Sequence, residues 1–450
     1  MDALTMQHMS AMPAPTWRWL RMNDTEIEVP EGLERMDGAS VEAEDALLDT
    51  TDSFEAAVAG LQERLDAARG GAQGSDDRAC VRAAQRAHED VADLDTPALS
   101  RYQRRAALEE AAGDVAAAFE TGIGADARAY LGFLAGSTIT LAPGAGEAGA
   151  ATVRVEGATG GAAAASIDVV AAPGSTLDLA ISLNAENEGT AATDGRASAD
   201  DGTAAAEPTR ACGLIGSALR VFAGASARVN VTVYITADSA FTVLDDAGYV
   251  LDEGARVTVR HVVLGGAHTY TGLAADLRGD TARMDIDTRY LASGSESRDF
   301  NYVIRQRGRR TISNMDANGV LTGNAKKVLR GTIDLVHGCK GSEGAENETV
   351  LLASRGVDNK TVPVILCDED DVAGNHGATI GHVRPEQLFY LGCRGLSEEA
   401  AEALFTAAKL EDAALSAPDA EMRENVLRLG RALIDGFCDI EDEDFEEDAA

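Results

Sequence analysis

Between residues 133 and 383 the apolar positions alternate with polar ones. Thr152-Val153-Arg154-Val155, Leu177-Asp178-Leu179-Ala180-Ile181 and Val229-Asn230-Val231-Thr232-Val233-Tyr234-Ile235 carry hydrophobic side chains at every second residue. The same period recurs at Val257-Thr258-Val259-Arg260, Met284-Asp285-Ile286-Asp287, Thr332-Ile333-Asp334-Leu335 and Val362-Pro363-Val364-Ile365-Leu366. Successive side chains of a strand point to opposite faces, so each run predicts a strand. Gly174, Gly224, Gly254, Gly279, Gly308, Gly331 and Gly356 punctuate the region, and from Gly224 onward they are 30, 25, 29, 23 and 25 residues apart. An interval of about 25 residues with a strand and a glycine turn, but no helix, predicts a solenoid rather than a sandwich. Asn-Gly and Asp-Gly pairs are scarce, which disfavours hairpin meanders. Turns alone return a strand in the same direction only in a stacked coil, so the expected core is a parallel β-helix over 133–383.

The flanks change period. Val41, Leu47, Leu48, Phe54, Ala57, Val58, Leu61 and Leu65 fall near helical spacing, as do Leu99, Tyr102, Ala106, Leu108, Ala111, Val115 and Phe119. Residues 1–125 are therefore expected to be mostly helical, with Trp17 and Trp19 after Pro13 and Pro15 serving as a packing anchor. Residues 384–437 predict helices again. Arg384-Pro385 opens a short one, Ser397 caps the next with Glu398 and Glu399 in its first turn, and a third runs from about Pro418 to Asp435. These helical ends would cap the edges of the coil. The longest glycine interval contains Ala185–Arg210, rich in Glu, Asp, Gly, Thr and Ala, which predicts a disordered acidic loop; residues 438–450 read as a solvated acidic tail.

Composition narrows the function. Aromatic residues make up 4% of the 450 positions and glycine accounts for 46, so the core is expected to use small and β-branched side chains. A net charge of −36, with five Lys against 34 Arg, argues against nucleic acid and anionic membranes as partners. No apolar run reaches bilayer length, no signal peptide is recognisable, and six cysteines without a CxxC are neither a disulfide framework nor a zinc finger. The expected compartment is the cytoplasm.

Short motifs carry little catalytic promise. Gly144-Ala145-Gly146-Glu147-Ala148-Gly149 spells a dinucleotide fingerprint, but a strand follows where a helix N-terminus is needed, and Gly122-Ile123-Gly124 is a partial match read as a turn after a helix. No P-loop, GxSxG elbow or HExxH helix is present. Asp368-Glu369-Asp370-Asp371 reads as a solvated turn rather than a cation site. His376, among Gly374, Asn375, Gly377, Ala378 and Thr379, is an accessible imidazole at the end of the coil and a candidate iron or zinc ligand. Cys339, Cys367 and Cys393 are 28 and 26 residues apart; Cys339 and Cys367 are expected to stack on one face as small hydrophobes.

Larger stretches are more specific. Gly374-Asn375-His376-Gly377-Ala378-Thr379-Ile380-Gly381, Glu386-Gln387-Leu388-Phe389-Tyr390-Leu391 and Arg394-Gly395-Leu396 closely resemble the C-terminal signature of the SufB/SufD family. Arg330-Gly331-Thr332-Ile333-Asp334-Leu335, Lys340-Gly341-Ser342-Glu343-Gly344, Asn347 and Leu351-Leu352 resemble it too, and Pro15-Thr16-Trp17 looks like the SufD N-terminus. The resemblance implies a right-handed parallel β-helix core and a non-catalytic scaffold subunit of SUF iron–sulfur cluster assembly. It implies pairing with a SufB-like paralogue through the β-helix and docking of the SufC ATPase on 384–437. A transient cluster would form at the SufB interface. His376 matches the histidine the family associates with that interface, and Cys367 is a weaker candidate because the family's assembly Cys does not map onto it. SufB-like chains carry a sulfur-accepting Cys near the segment Asn347–Leu352 and follow the interface His with Glu. Here that segment has no Cys and Gly377 follows, which points to SufD, although some SufD-like chains have Cys where this one has Gly374. A reduced flavin has been associated with some family complexes, and no residue here supports one. The alternatives are a SufB-like or homodimeric scaffold and, remotely, a β-helix carbohydrate-active enzyme, which would need paired carboxylates.

Overall fold

The computed structural model describes residues 1, 4–16, 21–49, 119–187, 211–434 and 437. Trp17, Trp19, Cys80, the helical patterns at 54–65 and 99–118, most of Ala185–Arg210 and the tail 438–450 lie outside these residues. In chain order the elements are β1 (Leu4–Met9), β2 (Thr25–Val29), β3 (Glu34–Arg35), β4 (Ala39–Ala43), α1 (Ala125–Ala135) and β5 (Thr138–Leu141). The coil follows as β6 (Ala148–Ala158), β7 (Gly161–Ala171), β8 (Thr176–Glu186), β9 (Gly213–Ala223), β10 (Arg228–Ile235), β11 (Phe241–Leu251), β12 (Arg256–Val263) and β13 (His268–Leu277). It continues through β14 (Arg283–Ala292), β15 (Ser297–Gln306), β16 (Ile312–Leu321), β17 (Lys326–Leu335), β18 (Ser342–Leu352), β19 (Asp358–Cys367) and β20 (Val372–His382). Helices α2 (Pro385–Cys393), α3 (Glu398–Leu415) and α4 (Ala420–Leu433) close the chain.

Each turn of the coil contributes one strand to each of two sheets. One sheet runs β4-β6-β8-β10-β12-β14-β16-β18-β20 and the other β3-β7-β9-β11-β13-β15-β17-β19, with β5 beside β7. From β6 onward neighbouring strands are parallel, as in β10 with β12 and β11 with β13. The protein is therefore mainly β, a parallel β-solenoid of about eight turns flanked by helices, as the alternation and the family resemblance imply. Stacked positions are chemically alike: Leu177, Val229, Val257 and Met284 form one buried aliphatic column.

Two features differ from the sequence expectation. Leu4–Met9, Thr25–Val29, Glu34–Arg35 and Ala39–Ala43 are strands rather than helix: β1 and β2 pair with each other, and β4 covers in antiparallel register the open edge that the first coil leaves at β6. An unpaired sheet edge is a template for backbone pairing, and that tertiary gain overrides weak helical spacing. The coil repeat is also longer than 25 residues. It is 28 from Arg228 to Arg256, 27 to Arg283, 29 to Ile312 and 31 to Glu343. The glycines mark different corners, and Gly331 lies inside β17. The recurring corner is a left-handed residue at Gly174, Ser226, Gly254, Thr281, Arg310 and Gly341, with φ between 53° and 74°. Its amide donates to the next turn, for example from Thr281 to Arg309 at 2.8 Å. Half of these positions are not glycine, so the corner is hidden in the sequence.

A polar string runs through the interior. Ser217 donates to Asp245 at 2.7 Å, Asp245 lies 3.5 Å from His261 Nε2, His261 Nδ1 meets the Tyr302 hydroxyl at 3.0 Å, and Thr288 meets that hydroxyl at 2.9 Å. Burial pushes Asp245 up to about 7 and His261 down to about 4.

Helix α1 and the β1–β2 pair cover the outer face of the β7–β9–β11 sheet with Met6, Ile27, Ile123, Leu131 and Leu134. The Arg330 guanidinium, itself buried, holds the N-terminal segment by donating to Met22 O at 2.6 Å while pairing with Asp299. Gly122-Ile123-Gly124 leads into α1 rather than following a helix among the described residues, and Asp246 occupies the Ile123 amide at 2.7 Å. On the other sheet, α3 and α4 pack Leu410, Ala413, Met422 and Val426 against Tyr234, Val262, Leu291 and Val320. Ser397 caps α3 through Ala400 N, and Asp419 caps α4 through Met422 N. Arg154 bonds Asp419 and Glu421, and Arg428 bonds Asp238, locking α4 to the coil. No helix among the described residues is long and apolar enough to cross a membrane.

Candidate functional site at the open end of the solenoid

Strands β19 and β20 form the last turn. Each pairs on one side only, with β17 and β18 respectively, so among the described residues their outer backbone edges are unpaired. Interior positions become exposed there. Val350 is 2% exposed, whereas Ile380, its register partner one turn later, is 48% exposed.

His376 sits mid-way along β20 and is exposed. Its register partner is Glu346, whose own partner below is the core residue Met315. Paired residues of parallel strands share a face. His376 therefore belongs to an interior column, at the level where that column meets solvent.

Cys367 ends β19, on the other sheet. It is exposed, its thiol donates to Glu369 O at 3.2 Å, and its register partner is Leu335. Facing strands run in opposite directions: Gly344 packs against Ile333 while Glu346 packs against Gly331. One turn later Gly374 packs against Ile365. His376 and Cys367 thus lie two residues beyond that contact in opposite directions, about 13 Å apart along the strands. The fold does not bring them together. Nor do Cys339 and Cys367 stack as paired rungs, since Cys339 is buried in the turn after β17. Burial and Glu369 push the Cys339 thiol up to about 11, which leaves it inert. The acidic run connects β19 to β20, with Glu369 accepting from Gly338 N at 2.9 Å. No group of three His, Cys, Asp or Glu among the described residues could hold a metal ion.

Beneath His376 lies a cluster that the sequence reading missed. Lys327, Glu346 and Glu348 all project into the solenoid interior and are buried. Glu348 accepts from Tyr290 at 2.9 Å and from the Lys327 ammonium and Thr361 hydroxyl. The ammonium also lies over the Tyr290 ring, 5.9 Å from its centroid. Glu346 Oε2 has no hydrogen-bond partner. Desolvation and the neighbouring Glu348 push the Glu346 carboxyl up to about 7, against the pull of Lys327. A signal was available: Glu346 and Glu348 alternate in phase with Val350, so an inward Val implied inward carboxylates.

The helical end offers a second surface. On α2, Phe389 is 75% exposed and Tyr390 is exposed beneath the Arg394 guanidinium, 4.9 Å from the ring centroid. Leu396, and Leu404 on α3, are exposed as well.

Among the described residues the parallel coil thus ends in an unpaired last turn that carries a histidine, with exposed apolar side chains on the helical segment that follows. Residues 190–409 match the family described as SUF system FeS cluster assembly, SufBD core domain. The chain therefore carries a SufBD core domain, and its relatives are iron–sulfur cluster assembly proteins of the SufB/SufD family. It is 31% identical over 129 residues to the iron–sulfur cluster assembly protein SufD of Bacillus subtilis (strain 168), covering 29% of this chain and 30% of that one. Against SufD of Escherichia coli (strain K12) it is 24% identical over 188 residues, covering 42% and 44%. An iron–sulfur cluster assembly SufBD family protein of Mycobacterium tuberculosis (strain ATCC 25618 / H37Rv) is 28% identical over 157 residues, covering 35% and 18%. The chain thus spans less than half the length of each of these relatives.

Proposed function

We propose that this chain is a SufD-like, non-catalytic scaffold subunit of an iron–sulfur cluster assembly complex. The observation that carries the reading is the uncovered last turn with His376 on its interior column. Its unpaired edges suit the matching end of a SufB-like paralogue, and a cluster in assembly, as cargo, would be held between the two chains with His376 as one ligand. Gly377 after the histidine and the absence of Cys from 347–352 favour SufD over SufB, and two of the relatives above are named SufD. The exposed apolar side chains of Phe389, Tyr390, Leu396 and Leu404 would dock the SufC ATPase within 384–437. Because α4 is bolted to the coil by Arg154 and Arg428, and α3 by the Tyr234 hydroxyl donating to Ala413 O, motion of the ATPase would pass to the β-sheets. Cys367 remains a secondary candidate, distant from His376 and dependent on a partner's ligands.

The test is co-expression with the genome-neighbouring ATPase and SufB-like chain, followed by light scattering and iron and sulfide analysis. A stable complex is expected for wild type and for His376→Ala, with iron and sulfide content in the variant falling at least fivefold. Normal loading of the variant would refute the histidine's role. A chain that elutes alone would refute the scaffold reading.

A further inference from the structure

We propose that Glu346 supplies a carboxylate ligand to the same iron as His376, so that the open end presents an imidazole–carboxylate pair. This rests on the reading of His376 as an iron ligand and adds a residue to it. The two residues are register partners on adjacent parallel strands and share the interior face. Adjacent strands are about 4.8 Å apart, so both side chains can reach a single ion.

Three further observations set Glu346 apart from an ordinary buried acid. It is 4% exposed, and its Oε2 has no hydrogen-bond partner, a costly state unless something else occupies that oxygen. Lys327 forms its ion pair with Glu348 rather than Glu346, so the pair is satisfied internally and one carboxylate is left over. Gly331 makes room for that carboxylate: a Cβ there would lie 2.3 Å from Glu346 Oε1. A glycine in mid-strand weakens a sheet, and here it frees the space the carboxyl group fills. Hard carboxylate oxygen with borderline imidazole nitrogen suits ferrous iron, and two protein ligands leave positions open for sulfide and for a partner's thiolate.

The experiment uses the full chain, anaerobically, with Co2+ as a spectroscopic stand-in for ferrous iron. Wild type, Glu346→Gln, Glu346→Asp and His376→Ala are titrated, with circular dichroism verifying that each is folded. Binding is read from the cobalt d–d bands and by competition with a chelator. Glu346→Gln is expected to weaken Co2+ at least tenfold and to shift the bands, His376→Ala to weaken it comparably, and Glu346→Asp, which keeps the charge, to recover part of the affinity. Loss in His376→Ala with wild-type behaviour in Glu346→Gln would overturn the Glu346 role and leave the histidine reading standing. Equal binding by all four proteins would remove both, and no Co2+ uptake by wild type would overturn the claim that this chain alone holds a ligand pair.

Discussion

Replacing Lys327 by Met should damage the last turns of the coil more than any surface charge deletion. The ammonium is buried against Glu348 inside the solenoid, with side-chain exposures of 0% and 1%. Two unit charges about 4 Å apart interact by about 4 kcal/mol at an effective dielectric near 20. Removing one partner of a buried pair typically costs about 3–5 kcal/mol, because the other charge is left uncompensated. Glu348 would keep its bonds from Tyr290 and Thr361, which places the loss near the lower end, about 3 kcal/mol. Met matches the aliphatic stem of Lys, so little cavity opens. The double variant Lys327→Met/Glu348→Gln removes both charges and should return to within about 1 kcal/mol of wild type. Solenoids unfold by local opening as well as globally, so the suitable assay is native-state hydrogen exchange at the amides of β17, β18 and β19. Unchanged protection in Lys327→Met, or a double variant as weakened as the single one, would refute the assignment of a compensated ion pair.

Two other perturbations probe the coil itself. Asp245 is raised to about 7 from an ordinary value near 4, so its protonated form favours the fold; that stabilisation is full below pH 4 and lost as pH climbs to 7. His261 is lowered to about 4, so its contribution is full above its usual 6.5 and lost as pH falls toward 4. Asp245→Asn, which keeps an acceptor for Ser217, should raise stability at pH 8 by up to about 4 kcal/mol and leave it unchanged at pH 4, as followed by thermal melting across pH; equal gains at both pH values would sink the account. At the left-handed corner, Thr281 holds a β-branched side chain at φ 60°. Thr281→Gly should therefore raise stability by up to about 1 kcal/mol despite glycine's added chain entropy, and a lower melting temperature would contradict the strain assigned to that position.

Much of the architecture was written in the pattern of residues. Alternation without helices between strands, few hairpin signals and a recurring glycine are what a stacked parallel coil requires, because each turn buries its inward side chains only against the turns above and below. Val229, Val257 and Met284 could be read as inward-facing from period two alone. The C-terminal helices were legible because Ser397 and Asp419 cap them locally, where sequence and conformation are adjacent. His376 was legible as an accessible imidazole among small residues, and the family resemblance gave it a place at an interface.

What the sequence did not decide depends on pairing between distant residues. Ala39–Ala43 became a strand because an open sheet edge, formed more than 100 residues later, needed a partner; no local signal encodes that. The repeat length is hidden in the sequence because Ser226, Thr281 and Arg310 adopt the corner conformation that glycine advertises elsewhere, the stacking of turns over-determining their φ. Register, likewise, is set only when strands align, and a shift of one residue would turn Glu346 outward and leave His376 over a different neighbour. Tertiary structure alone separated Cys367 from His376, set Glu346 beneath the imidazole, and gave Gly331 its purpose as the space in which that carboxylate lies.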